Sequence, residues 1–396
     1  MSQEAKLTTL PAWTPGTLDI HHIDNRGGSA TLIVGSDGTT ILIDCGGTKD
    51  SSAGSATPAP PAPPYSSSRP GERVARYALR HSASTTLDYL IATHVHPDHV
   101  GDVHSDETAM GNGFQRTGLS DVDQLMPAKL VIDRAYPDYG LLQPLSAPFT
   151  TNHLAWLAAR LREGRQVARI DVGSESQIML RSPEDYPTFS IRTLAANGEL
   201  WTGDGRESRS LFPDLSTLPR EARPEENKCS MAFLLSYGRF RYYTGGDLTC
   251  DTYDGRYPWM DVETPVARAA GRVDVAVANH HGYFDACGPD FVALLDAANY
   301  IIPAWHVTHP GQAQLQRLLR AWPGVDRRNV FATSMLPDNC RINKRFTSEM
   351  RSQQGHVVVR VAPGGDSYKI FVLDGDDERD HVIAEYGPHT CGGGVG

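Results

Sequence analysis

The chain lacks a disulfide framework, a long apolar run and a basic balance. Its six cysteines (Cys45, Cys229, Cys250, Cys287, Cys340 and Cys391) are dispersed with no Cys-x-x-Cys pair, so reduced thiols in a cytosolic protein are the simplest reading. No apolar segment follows Met1-Ser2-Gln3-Glu4-Ala5. Neither a signal peptide nor a transmembrane helix is therefore expected, and the expected location is cytoplasmic with no membrane partner. The net charge of −10 opposes tight binding to a nucleic-acid backbone unless a local basic patch escapes it. No base pattern accompanies Ser29, Ser230 or the cysteines, which leaves no covalent nucleophile to propose. There is no short tandem repeat. What remains is 396 residues with 40% apolar and 21% charged content, enough for one large or two ordinary globular domains.

Strand-like runs cover residues 18–23, 29–34 and 39–43, with Asp37-Gly38 as a hairpin signal between the last two. Residues 1–16 read as an extended arm. Residues 48–70 are rich in Ser, Pro and Ala and read as a flexible insertion. Pro70-Gly71-Glu72 opens an amphipathic helix to about Arg80. Further insertions are expected near 103–127 and 199–226, a domain spanning 17–386, and a flexible tail over 387–396. The pattern predicts strands at 87–92, 130–132, 166–172, 177–180, 189–194, 229–236, 239–243, 273–278, 300–302, 330–333, 356–361 and 368–373. Helices are predicted at 151–163, 291–298 and 312–321. Strands outnumber helices, which suggests two mixed sheets face to face with helices outside.

The densest chemistry is His94-Val95-His96-Pro97-Asp98-His99. It follows the apolar run Leu87–Ala92, so it sits on a loop at a strand's end, where rigid scaffolds usually place chemistry. In an extended turn residues i and i+2 point the same way, so His94 and His96 can grip one metal. The chain then bends into a helix, and Asp98 and His99 can hold a second. Two cations roughly 3.5–4 Å apart form a hydrolytic centre.

His-x-His-x-Asp-His after a strand resembles the metal motif of the metallo-β-lactamase superfamily. That resemblance implies an α/β fold, an αββα sandwich of two mixed β-sheets with helices on the outer faces, in agreement with the strand pattern. Tyr243-Thr244-Gly245-Gly246-Asp247 looks like the family's strand-Gly-Asp element, which makes Asp247 the bridging ligand. Its glycines are expected to let the backbone approach a metal. Asn279-His280-His281-Gly282 resembles the last ligand position in the branch that includes the ComEC DNA-uptake proteins. By that match His280 is the ligand and His281 lies behind it, or the two exchange roles. The branch resemblance extends to Ile23-Asp24, Gly28–Ile33 and Leu42–Gly46, with Asp44 as a structural carboxylate, and to Ile301-Ile302-Pro303 and His309-Pro310. His309 is thereby a candidate for substrate contact or for coordination at the first site.

One departure stands out. Most superfamily members supply a third histidine to the first metal, but no histidine occurs here between His153 and His280. Glu226, Asn227, Cys229 or His309 are the candidates to complete that site, which is expected to be weaker. An oxygen ligand there would favour iron or manganese over zinc. His21 and His22 are expected in the core, His104 near the pocket. Asp133-Arg134 with Tyr136 and Tyr139 is either a clamp for an anionic or aromatic substrate or a solvated turn.

The expected function is metal-dependent hydrolysis of a small-molecule ester, lactone, amide or phosphodiester by a metal-activated hydroxide, with Asp98, His281 and His309 as catalytic candidates and two divalent ions, zinc first. The ligand set is His94, His96, Asp98, His99, Asp247 and His280. Two other classes stay open: a di-iron, oxygen-dependent oxidoreductase on the same scaffold, and a metal-binding module without turnover. A long nucleic acid is not expected as partner.

Overall fold

Most strands of the chain are buried on both faces rather than on alternate residues, and the architecture follows from that. In a computed structural model, residues 9–48, 69–103 and 113–392 are described. The first six strands, β1 (Leu18–His22), β2 (Thr31–Val34), β3 (Thr40–Ile43), β4 (Leu87–Ala92), β5 (Ala128–Asp133) and β6 (Gln166–Arg169), lie in one sheet. The next eight form the second: β7 (Phe189–Ala196), β8 (Glu199–Trp201), β9 (Ser208–Ser210), β10 (Ala232–Tyr237), β11 (Phe240–Thr244), β12 (Val275–Val277), β13 (Asn299–Ile302) and β14 (Asn329–Ala332). The chain then returns through β15 (His356–Val361), β16 (Ser367–Leu373) and β17 (Val382–Thr390), giving a first sheet ordered β17-β16-β15-β1-β2-β3-β4-β5-β6. The second sheet runs β14-β13-β12-β11-β10-β7-β8-β9. Both sheets are mixed: β3 to β6 are parallel neighbours, as are β11 to β14, and the remaining pairs are antiparallel.

Side chains divide by face. On β4, Ile91 enters the core between the sheets with Ile43, Phe233 and Val277, while Leu90 and Ala92 face Val74, Tyr77, Leu119 and Trp156 on the outer side. Those outer residues come from α1 (Pro70–His81), α3 (Gly118–Leu125) and α4 (Pro148–Arg162); α2 (Pro97–Val100) is a single turn beside them. On β11, Tyr242 lies between the sheets and Tyr243 packs outward against Val266 and Phe291. Those two come from α5 (Glu263–Ala270) and α6 (Pro289–Leu295), and Leu315 and Leu318 of α7 (Gln312–Leu318) join the same cluster. Burial on both faces explains why these parallel strands read as continuous apolar runs. The result is helices, sheet, sheet, helices, the αββα sandwich expected from sequence.

The departures have local causes. Residues 177–180 form no strand, although Ile178 is buried between the sheets, because Gln177 turns its amide back onto Asp171 N and Arg169 O. The 103–127 stretch contains α3, and the 199–226 stretch contributes β8 and β9 as an edge hairpin. The tail expected from 387 is strand as far as Thr390. β17 pairs antiparallel with β16 as an edge strand, the register shifting where Gly387-Pro388 falls, and Cys391 is buried behind it. The 49–68 part of the Ser/Pro loop and His104 lie outside the described residues. Among the described residues no helix is long and apolar enough to cross a membrane.

Candidate metal centre

The centre forms where parallel strands of both sheets end on the same side, as ligand crevices in α/β sheets do. β3 delivers Asp44, β4 delivers His94 to His99, β11 delivers Asp247 and β12 delivers His281. The histidine turn is fixed by backbone: Ser29 N donates to Asp98 O (2.8 Å), Cys45 N to His99 O (2.8 Å) and Gly47 N to Pro97 O (3.0 Å). Glycine is required on two neighbouring loops, because a Cβ on Gly28 or Gly46 would lie 2.0 or 1.9 Å from Asp98 O.

Two groups of ligand-capable atoms result among the described residues, each with all its atoms within 4.8 Å of one another: His94, His96 and Asp247; and Asp98, His99, Asp247 and His281. His94 Nε2 is 3.2 Å from His96 Nδ1 and 3.6 Å from Asp247 Oδ2. His99 Nε2 is 3.1 Å from Asp247 Oδ1, and His281 Nε2 is 3.0 Å from Asp98 Oδ2 and 3.5 Å from Asp247 Oδ2. The other ring nitrogens are held from behind. His99 Nδ1 meets Asp44 Oδ2 at 2.8 Å, and His281 Nδ1 donates to Pro303 O at 2.8 Å. Such partners orient a ligating imidazole. His99 Nε2 is buried without a hydrogen-bond partner, and imidazoles with carboxylates suit zinc, iron or manganese. The residues therefore fit a bound divalent ion.

Electrostatics agree. Burial alone would depress the His99 and His281 imidazoles, but Asp247 and Asp98, with Asp44 beside His99, outweigh it: His99 stands well above its ordinary range and His281 is raised to about 9. Burial works the other way on Asp98 and Asp247, and the adjoining His99 and His281 overcome it and hold both carboxyls low. His94, buried and next to His99, is pushed well below the usual imidazole value. Without cations, protons on imidazoles balance the two carboxylates.

Several sequence candidates stand elsewhere. His280 is outside both groups: its Nδ1 meets Asp285 Oδ1 at 2.7 Å, and its Nε2 is 3.9 Å from Asp247 Oδ2. Left-handed backbone at both His280 (φ 45°) and His281 (φ 55°) turns the second histidine into the group instead. Glu226 is committed to Arg134, which donates from Nε (2.7 Å) and Nη2 (2.6 Å), and it accepts Val95 N at 2.7 Å. Cys229 Sγ faces Glu225 O, and burial pushes its thiol up to about 12. Asn227 Nδ2 lies 3.2 Å from His280 Nε2, with Oδ1 buried and unpartnered. His309 stacks on His281 (centroids 4.8 Å apart, 25° between planes) with its Nδ1 unpartnered, and burial with His281 and His306 nearby depresses its pKa. It joins neither group.

Arg134 is neither a substrate clamp nor a solvated turn: it is fully buried, and Asp133 is occupied by Ala135 N, Tyr136 N, Tyr139 Oη and His153. The two glycines before Asp247 are required by packing. A Cβ on Gly245 would lie 2.2 Å from Tyr243 Oη, and one on Gly246 3.1 Å from Ser230 Cβ. His21 and His22 are buried beside Tyr77 and Tyr242, away from the centre. Sequence reasoning missed Asp285 and Thr93, and named Pro303 only as the end of a late strand, not as the carbonyl behind His281. Thr93 donates to Asp44 through both N (2.8 Å) and Oγ1 (2.7 Å); neither Thr93 nor Asp285 carries a local signal.

No curated protein matches the chain. Among solved structures it is similar to the crystal structure of a "Putative metal-dependent hydrolase from Parabacteroides distasonis", at 10% identity over 83% of this chain and 100% of that one, with a TM-score of 0.37. Residues 23–105, which include the whole histidine cluster, match the family model described as the metallo-beta-lactamase superfamily.

Proposed function

We propose that this protein is a metal-dependent hydrolase acting on a small-molecule ester, lactone, amide or phosphodiester, with two divalent ions, zinc first, sharing Asp247. The observation that carries this is the placement of one carboxylate within 3.1–3.6 Å of imidazoles from both groups. Divalent cations held there would lower the pKa of water from 15.7 to about 7 and stabilise developing negative charge. In this reading His94, His96 and Asp247 would hold one ion, and Asp98, His99, His281 and Asp247 the other. Asp98 also orients the attacking water. His309, kept neutral by burial, contacts substrate through its unpartnered Nδ1.

Aromatic side chains support a small organic substrate. Phe149 lies edge-on to His96, Trp305 to His281, and Tyr283 to His280, with Phe284 beside Tyr283 and 66% exposed. The acidic net charge supports exclusion of long nucleic acids. The His-His-Gly element is the reason to place the chain nearest the ComEC-like branch.

The test is metal analysis of protein purified without added metal, then a panel of model esters, lactones, amides and phosphodiesters. Turnover of one class, lost together with metal in Asp247→Ala, is expected. Two irons with oxygen-dependent turnover would instead make it an oxidoreductase, and metal uptake without turnover a binding module.

A further inference from the structure

The hydrolase reading leaves the two groups unequal. One has four ligand residues; the other has His94, His96 and the shared Asp247. The segment expected to complete the smaller group offers Glu226, tied to Arg134 and Val95, and Cys229, whose sulfur faces a carbonyl. Its remaining residue, Asn227, touches a ring from another loop: His280 Nε2 lies 3.2 Å from Asn227 Nδ2 and 3.9 Å from Asp247 Oδ2. The vacancy in sequence is thus met in space by a histidine arriving after β12.

Three features mark His280 as built for this. Asp285 takes its Nδ1 at 2.7 Å, as Asp44 does for His99, so that Nε2, which meets Asn227 Nδ2, is the atom on the Asp247 side. The ring is half-enclosed at 17% side-chain exposure, beside Tyr283. Consecutive residues in left-handed backbone are costly for histidine, and here they separate two adjacent rings by 6.1 Å between centroids while both stay within 3.9 Å of the same Asp247 oxygen.

Resting on the hydrolase reading, the geometry points to His280 as the third nitrogen ligand of the first metal, oriented by Asp285, in place of the histidine that the segment 225–230 lacks. His281 serves the second metal, so the His-His pair divides between the two ions.

The test is zinc titration against a chromophoric chelator. Wild-type protein is expected to take up two ions. His280→Gly, which suits the left-handed backbone, is expected to retain one ion tightly and to regain the other when free imidazole is added, a rescue that a merely structural histidine would not give. Asp285→Asn is expected to weaken the same site by roughly 10–100-fold. If His280→Gly binds two ions with wild-type affinity, the assignment of His280 falls and the hydrolase reading stands. If the wild-type chain binds no metal, both fall.

Discussion

The sharpest prediction concerns Glu226, a residue that coordinates nothing in the arrangement described yet holds the loop that does. Glu226 is 5% exposed, and its carboxylate receives two hydrogen bonds from the fully buried Arg134 and accepts Val95 N–H between His94 and His96. Glu226→Ala strands a buried guanidinium, which costs about 3–5 kcal/mol, and leaves the Val95 amide without an acceptor, worth about 1–3 kcal/mol where it stays buried. The two share one carboxylate and will not add in full. A loss of about 4 kcal/mol would be a large part of a typical total of about 5–15 kcal/mol. Urea unfolding of metal-free protein measures it, and chelator competition measures the accompanying fall in zinc affinity as His94 and His96 lose their fixed spacing. Glu226→Gln keeps an acceptor for Val95 and is expected to lose less of both. A Glu226→Ala protein destabilised by under about 1 kcal/mol, with unchanged zinc affinity, would refute the argument that this ion pair positions the loop.

Three further outcomes follow from the same geometry. Gly46→Ala places a Cβ 1.9 Å from Asp98 O and should cost about 1–3 kcal/mol of stability or more, with weaker zinc binding in the same titration; full affinity would show that the turn can move aside. Asp44→Asn removes the carboxylate behind His99 and should weaken the second site by roughly 10–100-fold, whereas an unchanged isotherm would deny it an orienting role. Zinc must displace the protons that hold His99 and His281 charged, so apparent affinity should rise with pH through about 9. The sign is consistent for folding: the raised His281 contributes stability to the metal-free chain that is full below 6.5 and lost as pH climbs through about 9. Calorimetry in buffers of different ionisation enthalpy should detect proton release at pH 7, and a pH-independent affinity from 7 to 9 would contradict it.

The parts of this centre that are contiguous in sequence were the legible ones. Leu87–Ala92 is a strand with the predicted bounds, and the cluster that follows it lies on a loop at that strand's end. The choice between His280 and His281 was not readable, because it depends on two left-handed backbone angles that no residue type announces. Glu226 was legible only as a possible ligand. Its partner Arg134 lies 92 residues earlier, on the other sheet's side of the sandwich, and pairing at that separation leaves no local pattern. β17 escaped notice for the opposite reason: an edge strand with one covered face, interrupted by Gly387-Pro388, has neither the apolar run of β4 nor clean alternation.

The same contrast explains how the fold makes the centre. Neither sheet carries a complete donor set. The first supplies His94, His96, Asp98 and His99 with Asp44 behind them, and the second supplies Asp247 and His281 with Pro303 behind. Packing of Ile43 and Ile91 against Val277, between the sheets, is what registers one set against the other. Asp247 is the point of contact, meeting imidazoles from the first sheet at 3.1 and 3.6 Å and from its own at 3.5 Å. Ions held there would tie the two sheets together at the strand ends, so their binding free energy would be partly folding free energy. The buried carboxylates Asp98 and Asp247, which the metal-free chain offsets with raised imidazoles, are then the feature that makes the sandwich a receptor for cations.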